Sequence, residues 1–136
     1  MSYLLDTNVC IHWLKQQHGV ADRVAQAGET ACFLSEITIL ELRYGVAQGS
    51  DTFHAANLRQ LAEFQDLFRE RILLIGSAFA LFAEHKAHLR RTGRIIDNFD
   101  LLIGCTALAH DLTLVTRNTR HFVNLPGLRL ENWVDA

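Results

Sequence analysis

The chain of 136 residues has room for one ordinary domain and little more. Hydrophobic residues make up 49% and charged residues 21%, which is enough for a packed core and excludes an intrinsically disordered chain. A formal net charge of −2 excludes a histone-like polycation and, taken alone, argues against a nucleic-acid partner.

In chain order, Tyr3-Leu4-Leu5 is a short apolar run ending at Asp6 and predicts a buried strand. Thr7 or Asn8 can cap a helix through Ile11 and Leu14. A second apolar run, Ala31 to Leu34, predicts a strand, after which Ser35 caps a helix carrying Ile37, Leu40, Leu42 and Tyr44. From about Asp51 to Arg69, Leu58, Leu61, Phe64, Leu67 and Phe68 keep helical spacing and, with Phe53, form an apolar stripe. Arg71 to Ile75 reads as a third strand, and Ser77 as the cap of a helix ending near Gly93. Asp97 or Asn98 opens a helix with Leu101, Leu102, Cys105, Leu108 and Ala109 on one side. Leu112 to Val115 predicts a fourth strand and Leu128 to Leu130 a fifth. Strands alternating with helices predict an α/β domain with a parallel sheet of four to five strands flanked by helices, spanning residues 1–136.

Three cysteines, Cys10, Cys32 and Cys105, lie among apolar neighbours without CxxC spacing, as small core residues of a reducing compartment. The longest apolar stretch, Ile72 to Ala83, is broken by Gly76 and Ser77 and is too short for a membrane span. The opening residues lack a signal-peptide layout, so the expected location is the cytoplasm, with no membrane partner.

Ligands of open parallel sheets bind beyond the carboxyl ends of the strands, where the strand order reverses. Asp6 closes an apolar strand, Glu41 interrupts the apolar run Ile37 to Leu42, and Asp100 lies between Phe99 and Leu101-Leu102-Ile103. Three semi-buried carboxylates repel one another unless a cation lies between them, and a hard divalent ion, Mg²⁺ or Mn²⁺, prefers such oxygen ligands. Each residue also has a plainer reading. Asp6 can cap the first helix, Glu41 can pair with Arg43 or Arg59, and Asp100 can complement a helix dipole. Together, at matching positions of successive β–α units, they favour a metal site.

Leu4-Leu5-Asp6-Thr7-Asn8, Ser35 through Gly45, Phe99-Asp100-Leu101-Leu102-Ile103-Gly104, and Leu114 through Phe122 followed by Pro126 to Trp133 form four blocks in order along nearly the whole chain. These blocks resemble those of PIN-domain ribonucleases, most closely the VapC toxins of bacterial toxin–antitoxin pairs. The resemblance implies a Mg²⁺-dependent endoribonuclease, with Mn²⁺ as the alternative ion and Asp6, Glu41 and Asp100 as catalytic, metal-holding residues. It also implies a homodimer and a larger complex with a VapB-type antitoxin. The implied substrate is RNA, with a transfer RNA the usual target and initiator tRNA suggested by the closing segment. Asn118 stands where many relatives carry a fourth acid; an amide holds water or phosphate but binds metal weakly. Asp97 is expected as an N-cap, and Thr116 either orients a water or simply ends its strand.

Of the 13 basic residues, 11 are arginine, which suits phosphate and base contacts. Lys86, Arg90, Arg91 and Arg94, with His85 and His88, lead towards Asp100, and Arg117, Arg120 and His121 are expected to edge the same cleft. The plainer reading of the first cluster is a helix C-terminus neutralised by cations. Without the three site carboxylates the rest of the chain carries 13 bases against 12 acids, or +1, so the net charge does not oppose RNA. A receiver or phosphotransfer domain would need a second Asp near Asp6 or a late Lys, and neither is present. A catalytically weak PIN module that binds RNA or protein is the remaining alternative.

Overall fold

The computed structural model describes residues 1–135. In order, its elements are β1 (Tyr3–Leu5), α1 (Thr7–Leu14), α2 (Val20–Ala27), β2 (Cys32–Ser35), α3 (Glu36–Gln48), α4 (His54–Leu67), β3 (Ile72–Leu73), α5 (Phe79–Thr92), α6 (Asn98–Ala109), β4 (Thr113–Val115) and β5 (Leu130–Glu131), joined by short 3₁₀ turns. The strands form one five-stranded sheet in the order β3-β2-β1-β4-β5, with every pair parallel, as the alternation of strands and helices predicts.

The alternation of side chains across the pleat sorts the core into two halves. Leu5, Cys32, Leu34 and Val115 face α1 to α4, packing with Val9, Cys10, Val20, Val24, Leu42, Leu61, Phe64 and Phe68. Leu4, Phe33 and Leu114 face the other way, towards Ile103 and Ala107 of α6. A third cluster joins α5 to α6 through Leu89, Ile96, Leu101 and Cys105. The three free cysteines are all buried.

Several boundaries differ from those expected, for local reasons. The β1–α1 cap is Asp6 itself, whose Oδ1 accepts the Thr7 N–H at 2.8 Å, not Thr7 or Asn8. Ser35 and Asp97 cap α3 and α6 as expected. Ser77 does not cap α5. It sits in a 3₁₀ turn over Ile75–Ala78, where its hydroxyl lies 3.2 Å from the Leu74 carbonyl and 3.0 Å from His110 Nε2, and α5 starts at Phe79. The third strand shrinks to Ile72–Leu73, because the chain enters that turn immediately, and the fifth shifts to Leu130–Glu131. Helix α2 was not anticipated; Val20, Val24 and Ala27 form only a short apolar stripe between Gly19 and Gly28. Gly93, at φ 69°, ends α5 where expected, in a left-handed conformation that glycine adopts without strain.

The stripe along α4 divides. Leu61 and Phe64, with Phe68 just beyond the helix, are buried, Phe64 and Phe68 meeting Trp13 edge-on, whereas Phe53, Leu58 and Leu67 face solvent. Within α6, Gly104 lies where an added Cβ would come 2.6 Å from Leu125 Cδ2 and 3.3 Å from Phe122 Cδ1. The missing side chain lets the segment after β4 press against the helix one turn beyond Asp100.

Replacing Phe64 by Ala should cost about 3–5 kcal/mol in denaturant unfolding. Leu58→Ala, on the exposed edge of the same helix, should cost under about 1 kcal/mol. Equal losses would contradict the packing described for α4.

Candidate active site

Strand order reverses between β1 and β4, and the site is built at the carboxyl ends of these two strands. The parallel register sets Leu5 against Val115, so the next residues, Asp6 and Thr116, emerge side by side. The backbone extends the ladder by one step, Asp6 N–H donating to the Val115 carbonyl at 2.9 Å. The Thr116 hydroxyl donates to Asp6 Oδ2 at 2.8 Å, and the Asn8 amide donates to the same oxygen at 3.1 Å. Asn8 Oδ1 in turn accepts the Arg117 N–H, tying the first turn of α1 to the segment after β4.

Asp6 is only 4% exposed, although it is a carboxylate. Burial pushes its pKa up to about 6; the hydrogen bonds from Thr116 and Thr7 pull it down, while the charges of Asp100 and Glu41 push it further up. Glu41, half-buried on α3, is also raised, first by burial and then by Asp100 and Asp97, against the lowering effect of the Thr7 hydroxyl. Asp100, in the first turn of α6, is raised by burial and by Asp97, and is pulled back by the hydrogen bond and charge of His121. The sheet therefore brings the three expected carboxylates into one electrostatic neighbourhood, with Asp97 at its edge. Asp97 caps α6 as expected and still acts on both neighbouring acids.

Glu41 is held by a chain of hydroxyls. Thr7 Oγ1 donates to Glu41 Oε1 at 2.7 Å, and Thr7 Oγ1 lies 3.0 Å from Thr38 Oγ1. A threonine hydroxyl has a single hydrogen, so with Glu41 ionised the fully buried Thr38 must donate to Thr7. Asp100 Oδ2 lies 3.3 Å from Nδ1 of His121, which sits in the 3₁₀ turn Thr119–Phe122. Asn118 is exposed and contributes its backbone N–H to Thr116 Oγ1 at 3.1 Å. The plainer reading of Glu41 fails: no ion pair with Arg43 or Arg59 forms among the described residues. Arg117 turns its guanidinium to Asp135, both contacts at 3.2 Å, rather than to the carboxylates. His121 edges the cleft as expected, whereas Thr7 and Asn8, expected only as helix caps, and Thr38, one helical turn before Glu41, take part in the site without a sequence signal for that role.

Among the described residues, no three Asp, Glu, His or Cys side chains stand close enough to enclose an ion. The acids that sense one another's charge, Asp6, Glu41 and Asp100, offer only oxygen ligands. This set fits a hydrated Mg²⁺ or Mn²⁺, which keeps several waters and needs only one or two direct carboxylates, better than an ion caged entirely by protein. Beside Glu41 an apolar cleft of about 300 Å³ runs between α1, α3 and α4, lined by Ile11, Leu14, Leu42, Val46 and Leu61.

The Asp6 carboxyl binds its proton more tightly folded (about 6) than unfolded (near 3.8), so between these values the native state holds the extra proton and stability falls as pH rises. Above pH 6 the penalty is complete, on the order of 3 kcal/mol. In EDTA, the stability of Asp6→Asn relative to wild type should therefore improve by about that amount from pH 4 to pH 7 in denaturant titrations. A pH-independent difference would contradict this burial cost.

The PIN domain family model matches residues 3–128. The ribonuclease VapC2 of Rickettsia felis is 34% identical over 140 residues, covering 98% of this chain and 98% of that protein. The tRNA(fMet)-specific endonuclease VapC of Shigella flexneri is 31% identical over 134 residues, again covering 98% of each. Among solved structures, VapBC2 from Rickettsia felis, bound to a DNA fragment from its promoter, superposes with a TM-score of 0.87 at 31% identity, covering 98% of this chain and 99% of that one. Fold, block order and full-length similarity agree: the chain belongs to the PIN-domain family and, within it, to the VapC ribonucleases.

Proposed function

We propose that this protein is a metal-dependent endoribonuclease that hydrolyses RNA phosphodiester bonds and acts as the toxin of a toxin–antitoxin pair. The observation that carries this reading is that Asp6, Glu41 and Asp100 lie within electrostatic reach of one another at the switch point of a VapC-family sheet. These three residues would hold Mg²⁺, or alternatively Mn²⁺. A divalent ion there supplies Lewis-acid charge that eases deprotonation of a water and offsets charge building on the phosphate oxygens.

The chain's own contribution is positioning and electrostatics. Thr116 and Asn8 fix the direction of Asp6, the Thr38–Thr7 hydroxyls aim Glu41, and His121 restrains Asp100. Such preorganisation places negative charge where a cation is needed before RNA arrives. The substrate class is transfer RNA, with initiator tRNA the first to test because the Shigella flexneri relative is named for tRNA(fMet). A VapB-type antitoxin is the expected inhibitor, supported by the likeness to the VapBC2 assembly, and the toxin is expected to dimerise. The exposed part of the α4 stripe and the cleft beside Glu41 are apolar surfaces suited to partners. The buried free cysteines and an RNA substrate support a cytoplasmic location, and among the described residues no helix is long and apolar enough to cross a membrane.

Induced expression of wild type should arrest growth, whereas Asp6→Ala and Asp100→Ala should not, and purified wild type should cut tRNA only without excess EDTA. Cleavage persisting in EDTA would remove the metal, and RNA binding without cleavage would make the protein a non-catalytic module. Thr38→Val, which keeps the volume but removes the hydroxyl, should lower kcat about 10- to 100-fold with little change in KM, and Thr38→Ser should restore it. An unchanged kcat would show that Glu41 does not need this chain of hydroxyls.

A further inference from the structure

The basic residues of α5 are not spread evenly over its surface. From Lys86 to Arg94 the chain has four cations and no acid, although the whole protein carries −2. The end of α5 packs beside the start of α6, leaving a groove of about 340 Å³. Its floor is apolar, formed by Leu89, Ile96 and Leu101, while Lys86 and Arg90 line one side and Asp97 and Asn98 the other. Lys86 Nζ donates to Asn98 Oδ1, and Arg94 reaches Asn124 Oδ1 at 3.5 Å, so two of the cations are anchored to segments that flank Asp100 and His121. Arg90 lies exposed along the groove. The groove ends at the start of α6: Asp97, which lines it, caps the helix whose first turn carries Asp100.

An apolar floor with cations along one side and polar groups along the other is the chemistry that accepts a nucleotide of a single strand, with its base against the floor and its phosphate on the cations. A helix C-terminus neutralised by cations would explain the charges but not the apolar-floored groove beside the helix that carries Asp100. We propose that the α5–α6 groove binds a nucleotide of the RNA strand next to the scissile phosphate, with Arg90 contacting the backbone in the groove and Arg94, beyond the groove lining and just past the end of α5, contacting a neighbouring phosphate. This rests on the nuclease reading and adds to it where the strand enters.

The test uses a labelled single-stranded RNA of mixed sequence, about 20 nucleotides long, bound in EDTA so that the strand stays intact, with affinity read by fluorescence anisotropy across a salt series. Arg90→Ala combined with Arg94→Ala should weaken binding about tenfold at 0.1 M salt. The slope of log Kd against log salt should fall by about 1.4, or ~0.7 for each lost phosphate contact. The double lysine variant should keep most of the wild-type slope, showing that charge is what matters. An unchanged slope in the alanine variant, while wild type cleaves RNA, would overturn the groove and leave the nuclease reading intact. Wild type that cleaves no RNA would overturn both. An alanine variant that binds RNA normally but fails to bind an antitoxin would assign the groove to a protein instead.

Discussion

The carboxyl group of Asp6 is closed off from water at the head of the central strand, and the carboxyl edge of the sheet is arranged to hold it. Burial makes its charge costly, and the neighbouring acids make it costlier. Three donors offset part of this: the Thr7 N–H, the Thr116 hydroxyl and the Asn8 amide. Two of these come from the chain immediately after Asp6 and one from the residue that follows β4. The parallel β1–β4 pairing is therefore a structural requirement of the site as well as part of the core. Because Asn8 also accepts the Arg117 N–H, the same residue holds α1 against the segment that follows β4. Asp6 caps a helix and also senses the charges of Glu41 and Asp100, so the plain reading of this residue holds without displacing the proposed one.

The acids were legible in the sequence because a carboxylate inside an apolar run is an anomaly that burial physics makes visible. The sheet was legible because strands alternate with helices and each apolar run stops at a polar residue. The supporting hydroxyls were not. A threonine in a helix has a generic local meaning, and the partnership of Thr7 with Thr38 spans 31 positions, which no periodicity reports. The Asp100–His121 contact depends on how the turn after β4 folds back against α6, a tertiary fact. Helix α2 escaped notice because only three apolar positions mark it, and Ser77 misled because the chain makes a 3₁₀ turn before its helix begins.

Charge shows the same division between total and arrangement. The net value of −2 conceals acids gathered at the switch point and cations gathered along the end of α5. Arg117, which sequence position alone places at the cleft, spends its guanidinium on Asp135 and takes part in the site through its backbone. Where a charge lies along the chain sets its neighbourhood, and packing decides what it faces.

Gly104 gives this arrangement a mechanical consequence. Phe122 and Leu125 sit against the bare backbone of α6 at this position, and His121 rides on the segment they anchor. The reach of the imidazole to Asp100 is thus set by a spacer of zero thickness four residues further along the helix. A methyl group there would act as a shim between helix and turn, re-aiming the histidine without altering any polar atom. The contact between His121 and Asp100 would thus be adjustable from inside the hydrophobic core.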